Sequence, residues 1–142
     1  MTSTLSILVG RFLLGLYFLV PGLMKVAAPV ETIAYMESHG VPFALPLMWV
    51  ATAANIIGGV LLMTGRHVRL AAYGSVLYVL VINFYLHDFW TMSGDQAARE
   101  TQNFIKNLGI AAGLLALAGF TSARPLSLHG LWKSDHAVSQ AR

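Results

Sequence analysis

Long apolar segments alternate with short polar ones along this chain. The apolar segments cover residues 5–25, 46–64, 69–89 and 103–121, and few charged side chains interrupt them. A helix needs about 20 mostly apolar residues to cross the hydrocarbon core of a bilayer. The pattern therefore predicts four membrane-spanning helices that use most of the chain.

The connections between these segments predict how the helices are arranged. The connection between the second and third segments, around residues 65–69, is very short, so these two helices should be adjacent and antiparallel. Residues 29–38 lie in a longer first connection, and they predict a short interfacial helix that ends before a His-Gly pair. The predicted fold class is all-α, an antiparallel four-helix bundle integral to the membrane. Residues 1–124 would form this domain, and residues 125–142 a polar cytoplasmic tail.

Composition supports lipid as the solvent and narrows the chemistry. Hydrophobic residues make up 56% of the chain and charged residues only 11%, whereas soluble domains carry about 25% charged residues. The net charge is +3, but the basic residues are scattered along the chain and form no patch, which argues against a nucleic-acid partner. The chain has no cysteine, so a disulfide, an iron–sulfur cluster and a thiolate metal site are excluded within it.

Basic residues near the spans predict the orientation. The side with both termini and the second connection carries Arg66, Arg69, Arg124, Lys133 and Arg142, and the opposite side carries Lys25, Arg99 and Lys106. Cytoplasmic loops carry an excess of Lys and Arg. Both termini are therefore predicted to face the cytoplasm, and the opposite side is the periplasm if the chain is a multi-pass protein of a bacterial inner membrane.

Polar and small residues recur at three- and four-residue spacing, which places them on single helix faces. The stripes are Arg11, Gly15, Phe18, Gly22 and Lys25; then Ala51, Asn55 and Gly59; then Gln102, Lys106, Gly109 and Gly113. Small residues let helices approach closely in lipid, so we expect these stripes to pack inside the bundle. For Asn55, an interhelical hydrogen bond is favoured over a ligand contact. Arg11 either faces the bundle or extends to the cytoplasmic surface.

A polar cluster is expected where the first and third helices end and the fourth begins. Its members are Lys25, His87, Asp88, Trp90, Arg99 and Lys106. We expect Asp88 to pair with one of the three cations. The cluster is either an interfacial set of ion pairs with Trp90 as an aromatic anchor, or a functional site. No metal site is predicted, because a set built on His39 and His87 with one acid is disfavoured.

The ordered motifs of the chain resemble the DoxX family. They are Arg11 followed by Leu14-Gly15 and Phe18, Gly22-Leu23-Met24-Lys25, Gly58-Gly59 with Gly65, His87-Asp88-Phe89-Trp90, and Lys106-Asn107-Leu108 leading to Gly113-Leu114-Leu115. The resemblance covers about residues 5–120. It implies a four-helix bacterial membrane protein. The family name derives from a subunit of an archaeal thiosulfate:quinone oxidoreductase, and other members are associated with membrane redox complexes.

One departure from the family pattern concerns the second helix. Many relatives carry a Glu before the paired glycines, whereas this chain has Asn55. If that carboxylate moves protons in the relatives, Asn55 cannot do so here.

The first functional hypothesis is a membrane subunit of a redox complex near the quinone pool. Its site residues would act on a quinone substrate: His87 and Asp88 by exchanging protons with an oxygen, Trp90 by stacking on the ring, and Lys25, Arg99 or Lys106 by attracting an anion. No redox centre is visible in the chain, so the electrons would come from an oxidoreductase partner subunit or a soluble donor.

The second hypothesis is non-enzymatic. Here the protein is a membrane scaffold or a carrier of small molecules, and Arg11 and Asn55 line a central polar path. The glycine stripes suit packing within one bundle or between the protomers of an oligomer equally well. A stable oxidoreductase partner would favour the first hypothesis, and polar residues at several depths favour the second.

Overall fold

The computed structural model describes residues 2–121, with side chains from Leu5 onward, and all the regular secondary structure in that range is helical. Its helices are α1 (Thr2–Ala27), α2 (Pro29–Ser38), α3 (Ala44–Thr64), α4 (Val68–Leu86) and α5 (Gly94–Phe120), with a 3₁₀ turn at Phe89–Thr91 between the last two. The tail predicted at residues 125–142 lies outside the described residues.

Among the residues that the structure describes, four helical segments are long and apolar enough to cross a membrane. They are Leu5–Ala27, Ala44–Thr64, Val68–Thr91 and Gly94–Phe120. The predicted all-α four-helix fold is confirmed, and so is the short helix in the first connection, which is α2. The fourth helix begins earlier than the apolar segment does, because polar residues continue it. Asp95 lies in its first turn, where a carboxylate favours the positive end of the helix dipole.

The predicted stripes of α1 and α3 face each other, and this is the most extensive contact between helices. A Cβ placed on Gly59 would lie 2.7 Å from the carbonyl oxygen of Gly15 and 2.8 Å from the backbone nitrogen of Leu19. A Cβ on Gly22 would lie 3.0 Å from the Cβ of Asn55. The two backbones therefore touch, which only glycine allows here.

The prediction that the stripe of the fourth helix packs inside the bundle is wrong. Gln102, Lys106, Gly109 and Gly113 are all exposed, and a Cβ on either glycine would meet nothing within 4 Å. The buried face instead carries Asn107, Ala111, Leu114 and Ala118. Small apolar residues occur on every face of the apolar half of α5, so their spacing does not show which face is buried.

The core is shared by the four long helices. Its buried members are Phe18, Leu62, Val68, Ala71, Ala72, Val79, Ala111, Leu114 and Ala118. Many other large apolar side chains are exposed, as expected for a surface that faces lipid rather than water. A smaller core of Met36, Ala44 and Met48 fixes α2 to the start of α3.

Candidate functional site

A chain of polar side chains connects the end of α4 to α5. The Nδ1 atom of His87 lies 2.7 Å from Oε2 of Glu100. The Asn103 amide donates to the same oxygen at 3.1 Å, and the Lys106 ammonium donates to Oδ1 of Asn103 at 3.0 Å. We call the end of the bundle that holds these groups and α2 the α2 end. Sequence reasoning missed Glu100 and Asn103, although their three-residue spacing to Lys106 marks one helix face.

The expected ion pair of Asp88 is not formed. Within the described side chains, its carboxylate pairs with none of Lys25, Arg99 and Lys106. Oδ2 accepts a hydrogen bond from the Thr91 hydroxyl at 2.8 Å, while Oδ1 is buried without a partner. Asp88 immediately precedes the 3₁₀ turn, so its side chain is held locally. Arg99 is exposed on α5.

Helix α2 places a phenol and an imidazole beside these acidic groups. The rings of Tyr35 and His39 lie 4.3 Å apart, and Nδ1 of His39 lies 2.9 Å from the Tyr35 carbonyl oxygen. Burial raises the pKa of the Tyr35 hydroxyl, and the carboxylates of Glu100 and Asp88 raise it further. The hydroxyl is therefore protonated at neutral pH and can donate a hydrogen bond.

A cavity of about 740 Å³ lies between α1, α2, α3 and α4 at the α2 end, and we call it the α2 cavity. Its walls are largely aliphatic, formed by Met24, Leu47, Val50, Ala54, Val81 and Ile82 among others. Polar side chains also line it, namely Lys25, Glu31, Thr32, Tyr35, Tyr78 and Tyr85. Its size and lining are typical of a site for a small amphipathic molecule.

Lys25 is the one member of the predicted polar cluster that lines the α2 cavity. Its ammonium lies 3.5 Å from the carbonyl oxygen of Pro21, on its own helix, and it forms no ion pair within the described part of the chain. His87 follows directly after Leu86, which also lines the cavity. The structure thus separates the predicted cluster into a cavity cation and a neighbouring histidine–acid pair.

Trp90 does not line the cavity. It is 53% exposed and packs its ring against Phe84, Phe89 and Phe104, at centroid distances of 6.2, 5.2 and 6.1 Å. This placement does not support stacking on a ring in the cavity. It agrees with the interpretation of Trp90 as an aromatic anchor at the membrane interface.

Asn55 is 2% exposed in the middle of α3, and its Oδ1 makes no hydrogen bond. It lies beside Tyr78. The Tyr78 hydroxyl is also buried, and it makes no hydrogen bond of ordinary geometry. Oδ1 therefore takes no part in the favoured interhelical hydrogen bond, for which the Asn55 amide group beside Tyr78 of α4 is the donor that remains. The Cβ of Asn55 packs against Gly22 of α1.

Arg11 lies far from this site, where α3 ends. It is 7% exposed, so it faces the bundle rather than extending to the surface. A Cβ on Gly65 would lie 2.5 Å from a guanidinium nitrogen of Arg11. Gly65 adopts the left-handed conformation that ends α3, and the carbonyl end of a helix favours a nearby cation. Neither Arg11 nor Asn55 is on the lining of the α2 cavity.

A second polar chain, which sequence reasoning did not predict, joins three helices inside the bundle. The Tyr17 hydroxyl of α1 donates to Oδ1 of Asn107 at 2.8 Å, and the Asn107 amide donates to Oδ1 of Asn83 at 2.8 Å. The Asn83 amide in turn donates to the Phe104 carbonyl at 3.2 Å. Amides inside apolar helices are costly unless paired, and this signal was present in the sequence.

Metal binding finds no support in the part of the chain that the structure describes. There, no three His, Asp or Glu side chains come close enough together to hold an ion. His87 is engaged by Glu100, and His39 lies on Tyr35.

Comparison with known proteins identifies the family. The DoxX family model matches residues 6–88, which is more than half of the chain. The chain belongs to the DoxX family. The match ends at Asp88, so Glu100 and the buried face of α5 lie beyond it.

Two relatives of this DoxX-family chain are Escherichia coli K12 proteins. Inner membrane protein YphA is 30% identical over 79% of this chain and 80% of its own length. Inner membrane protein YqjF is 32% identical over 80% of this chain and 82% of its own length. No solved structure matches this chain. With its four long apolar helices, this DoxX-family chain is a multi-pass integral membrane protein.

Proposed function

We propose that this DoxX-family protein is an inner-membrane subunit of a redox complex, and that its α2 cavity binds a quinone. The cavity is the observation that supports this function. It offers about 740 Å³ of mostly apolar space, with the polar groups Lys25 and Tyr35 on its lining. A quinone combines an apolar ring and tail with oxygens that accept hydrogen bonds, which suits such a lining.

In this proposal, residues at the α2 end exchange protons with the quinone. Reduction of a quinone to a quinol consumes two electrons and two protons. Tyr35 lines the cavity and neighbours Asp88 and Glu100, and Glu100 holds the His87 imidazole. An imidazole exchanges protons near neutral pH, so His87 would supply protons through this group. The electrons would come from an oxidoreductase partner subunit or a soluble donor.

The proposed location follows from the relatives and from the charges. Both named relatives are inner-membrane proteins of a bacterium. The excess of Lys and Arg on the side of the termini favours a cytoplasmic position for both ends of the chain. The α2 end, with its cavity, would then face the periplasm.

A carrier of small molecules is the second candidate, and one observation favours it. A cavity of about 260 Å³ lies between α3 and α4, and it shares Ala54 and Tyr78 with the α2 cavity. A ligand could pass between these two spaces if the Tyr78 ring moved. Such a carrier would bind its ligand without changing the ligand's redox state.

We expect His87→Gln to slow quinone reduction by about 100-fold, because general acid–base groups contribute factors of that order. The measurement uses membranes from a strain that lacks the native gene and is supplied with wild-type or variant protein. Quinone absorbance is followed after addition of thiosulfate and other candidate donors. The matched control is Gln102→Ala, because Gln102 is exposed on α5. Its rate of quinone reduction should equal that of the wild type.

Two results would contradict the redox proposal. One is a quinone that no donor reduces in wild-type membranes beyond the rate of the strain without the gene. The other is an unchanged rate with His87→Gln when the variant is present at the wild-type level.

A further inference from the structure

Lys25 differs from the other polar residues of the α2 cavity. Among the described residues it is the only Lys or Arg on the lining, and it is half-buried at the end of α1 among aliphatic side chains. The contact recorded for its ammonium is a long one, 3.5 Å, to the Pro21 carbonyl oxygen. No carboxylate within the described residues pairs with it.

A cation in such a place is poorly compensated. Apolar walls reduce solvation of the ammonium, and they strengthen its attraction for any anion that comes close. Glu31, the one acid on the same lining, is exposed and does not form an ion pair with Lys25. The ammonium therefore remains available to a ligand in the cavity.

We infer that the α2 cavity prefers lipophilic acids, which are molecules with an apolar body and one anionic oxygen that Lys25 binds. This inference rests on the proposed function, because it names the ligand class of the same cavity. The apolar body would lie against Val50, Ala54 and Val81, and the anionic oxygen at Lys25. Glu31, which is exposed on the same lining, disfavours a second negative charge on the ligand.

The other two cations of the predicted cluster do not compete for this role. Arg99 is exposed on α5 and does not line the cavity. Lys106 donates to Asn103 on its own helix and does not line the cavity. Recognition of the anion is therefore assigned to Lys25 alone.

A matched pair of quinones tests the inference. A 2-hydroxy-3-alkyl-1,4-naphthoquinone is ionised at neutral pH, whereas the 2-methyl analogue with the same alkyl chain is neutral. Affinity is measured by equilibrium dialysis with protein in nanodiscs of uncharged lipid. We expect the wild type to bind the hydroxy compound about 10- to 100-fold more tightly, because a hydrogen bond between charged groups contributes that much.

Substitutions test whether Lys25 causes the preference for the ionised compound. Lys25→Met should abolish the preference for the ionised compound. Arg69→Met removes one positive charge from an exposed position near the start of α4 and should retain the preference. Should Lys25→Met fail to reach the membrane, Glu31→Gln decides, since removal of its charge should tighten binding of the ionised compound severalfold. Unchanged or weaker binding by Glu31→Gln would overturn the inference.

The outcomes separate this inference from the proposed function. Equal binding of both naphthoquinones by the wild type, or a preference that survives in Lys25→Met, overturns the inference and leaves quinone binding standing. Binding of a long-chain fatty acid that depends on Lys25, without binding of either quinone, supports the inference and contradicts the quinone proposal. Failure of all three compounds to bind overturns both.

Discussion

Gly59→Ala is expected to lower the free energy of unfolding by about 1–3 kcal/mol, the usual cost of overpacking a close contact. The added methyl group would lie 2.7 Å from the Gly15 carbonyl oxygen and 2.8 Å from the Leu19 nitrogen. Both are backbone atoms of α1, so relief requires that α1 move as a whole. Titration with denaturing detergent in mixed micelles, followed by circular dichroism, measures the change.

The control for this substitution is Gly113→Ala on α5. Its Cβ would meet nothing within 4 Å, and alanine is the better helix former by up to about 1 kcal/mol. Gly113→Ala should therefore be as stable as the wild type or more so. Equal stability of the Gly59 and Gly113 variants would contradict the close backbone contact between α1 and α3. Because α1 carries Lys25, its displacement should also alter the α2 cavity.

Asn107→Leu is expected to destabilise the bundle by about 1–3 kcal/mol. It removes the hydrogen bonds to Tyr17 and Asn83, and it leaves Oδ1 of buried Asn83 without its donor. Single hydrogen bonds between membrane helices contribute about 0.6 kcal/mol on average, and an unpaired buried acceptor adds its own cost. The same detergent titration measures the loss of unfolding free energy.

A double-mutant cycle tests whether the two asparagines act together. Asn83→Leu should destabilise the protein, and the double variant should lose less than the sum of the single losses. Gln102→Leu, on the exposed face of α5, is the control and should change stability little. Additive losses in the double variant would contradict the buried amide chain.

The helices and the first stripe could be predicted because local properties decide them. Apolar length determines the spans, and the charges of Arg11 and Lys25 cannot face lipid cheaply, so the glycines between them had to face protein. The buried positions of Arg11, Gly15, Phe18 and Gly22 confirm that prediction. On α5 the small residues carry no such cost, so their spacing led to the wrong face.

The arrangement of the polar site could be predicted only in part. The prediction placed His87 and the end of α1 at one level, and the structure has both at the α2 end. It could not find the partner of His87, because Glu100 lies in the polar first turns of α5, outside the apolar segment that marked this helix. The local contact of Asp88 with Thr91 also has no signal in charge or hydropathy.

The central claim is that a quinone occupies the α2 cavity, and its affinity in two neighbouring variants tests this most directly. Ala54 and Ala53 are both exposed on α3, but only Ala54 lines the cavity. Binding of decylubiquinone to the purified protein is measured for Ala54→Phe, Ala53→Phe and the wild type. We predict that Ala54→Phe narrows the cavity and weakens binding by about tenfold or more, while Ala53→Phe binds like the wild type. Wild-type affinity in Ala54→Phe, or equal losses in both variants, would contradict the claim.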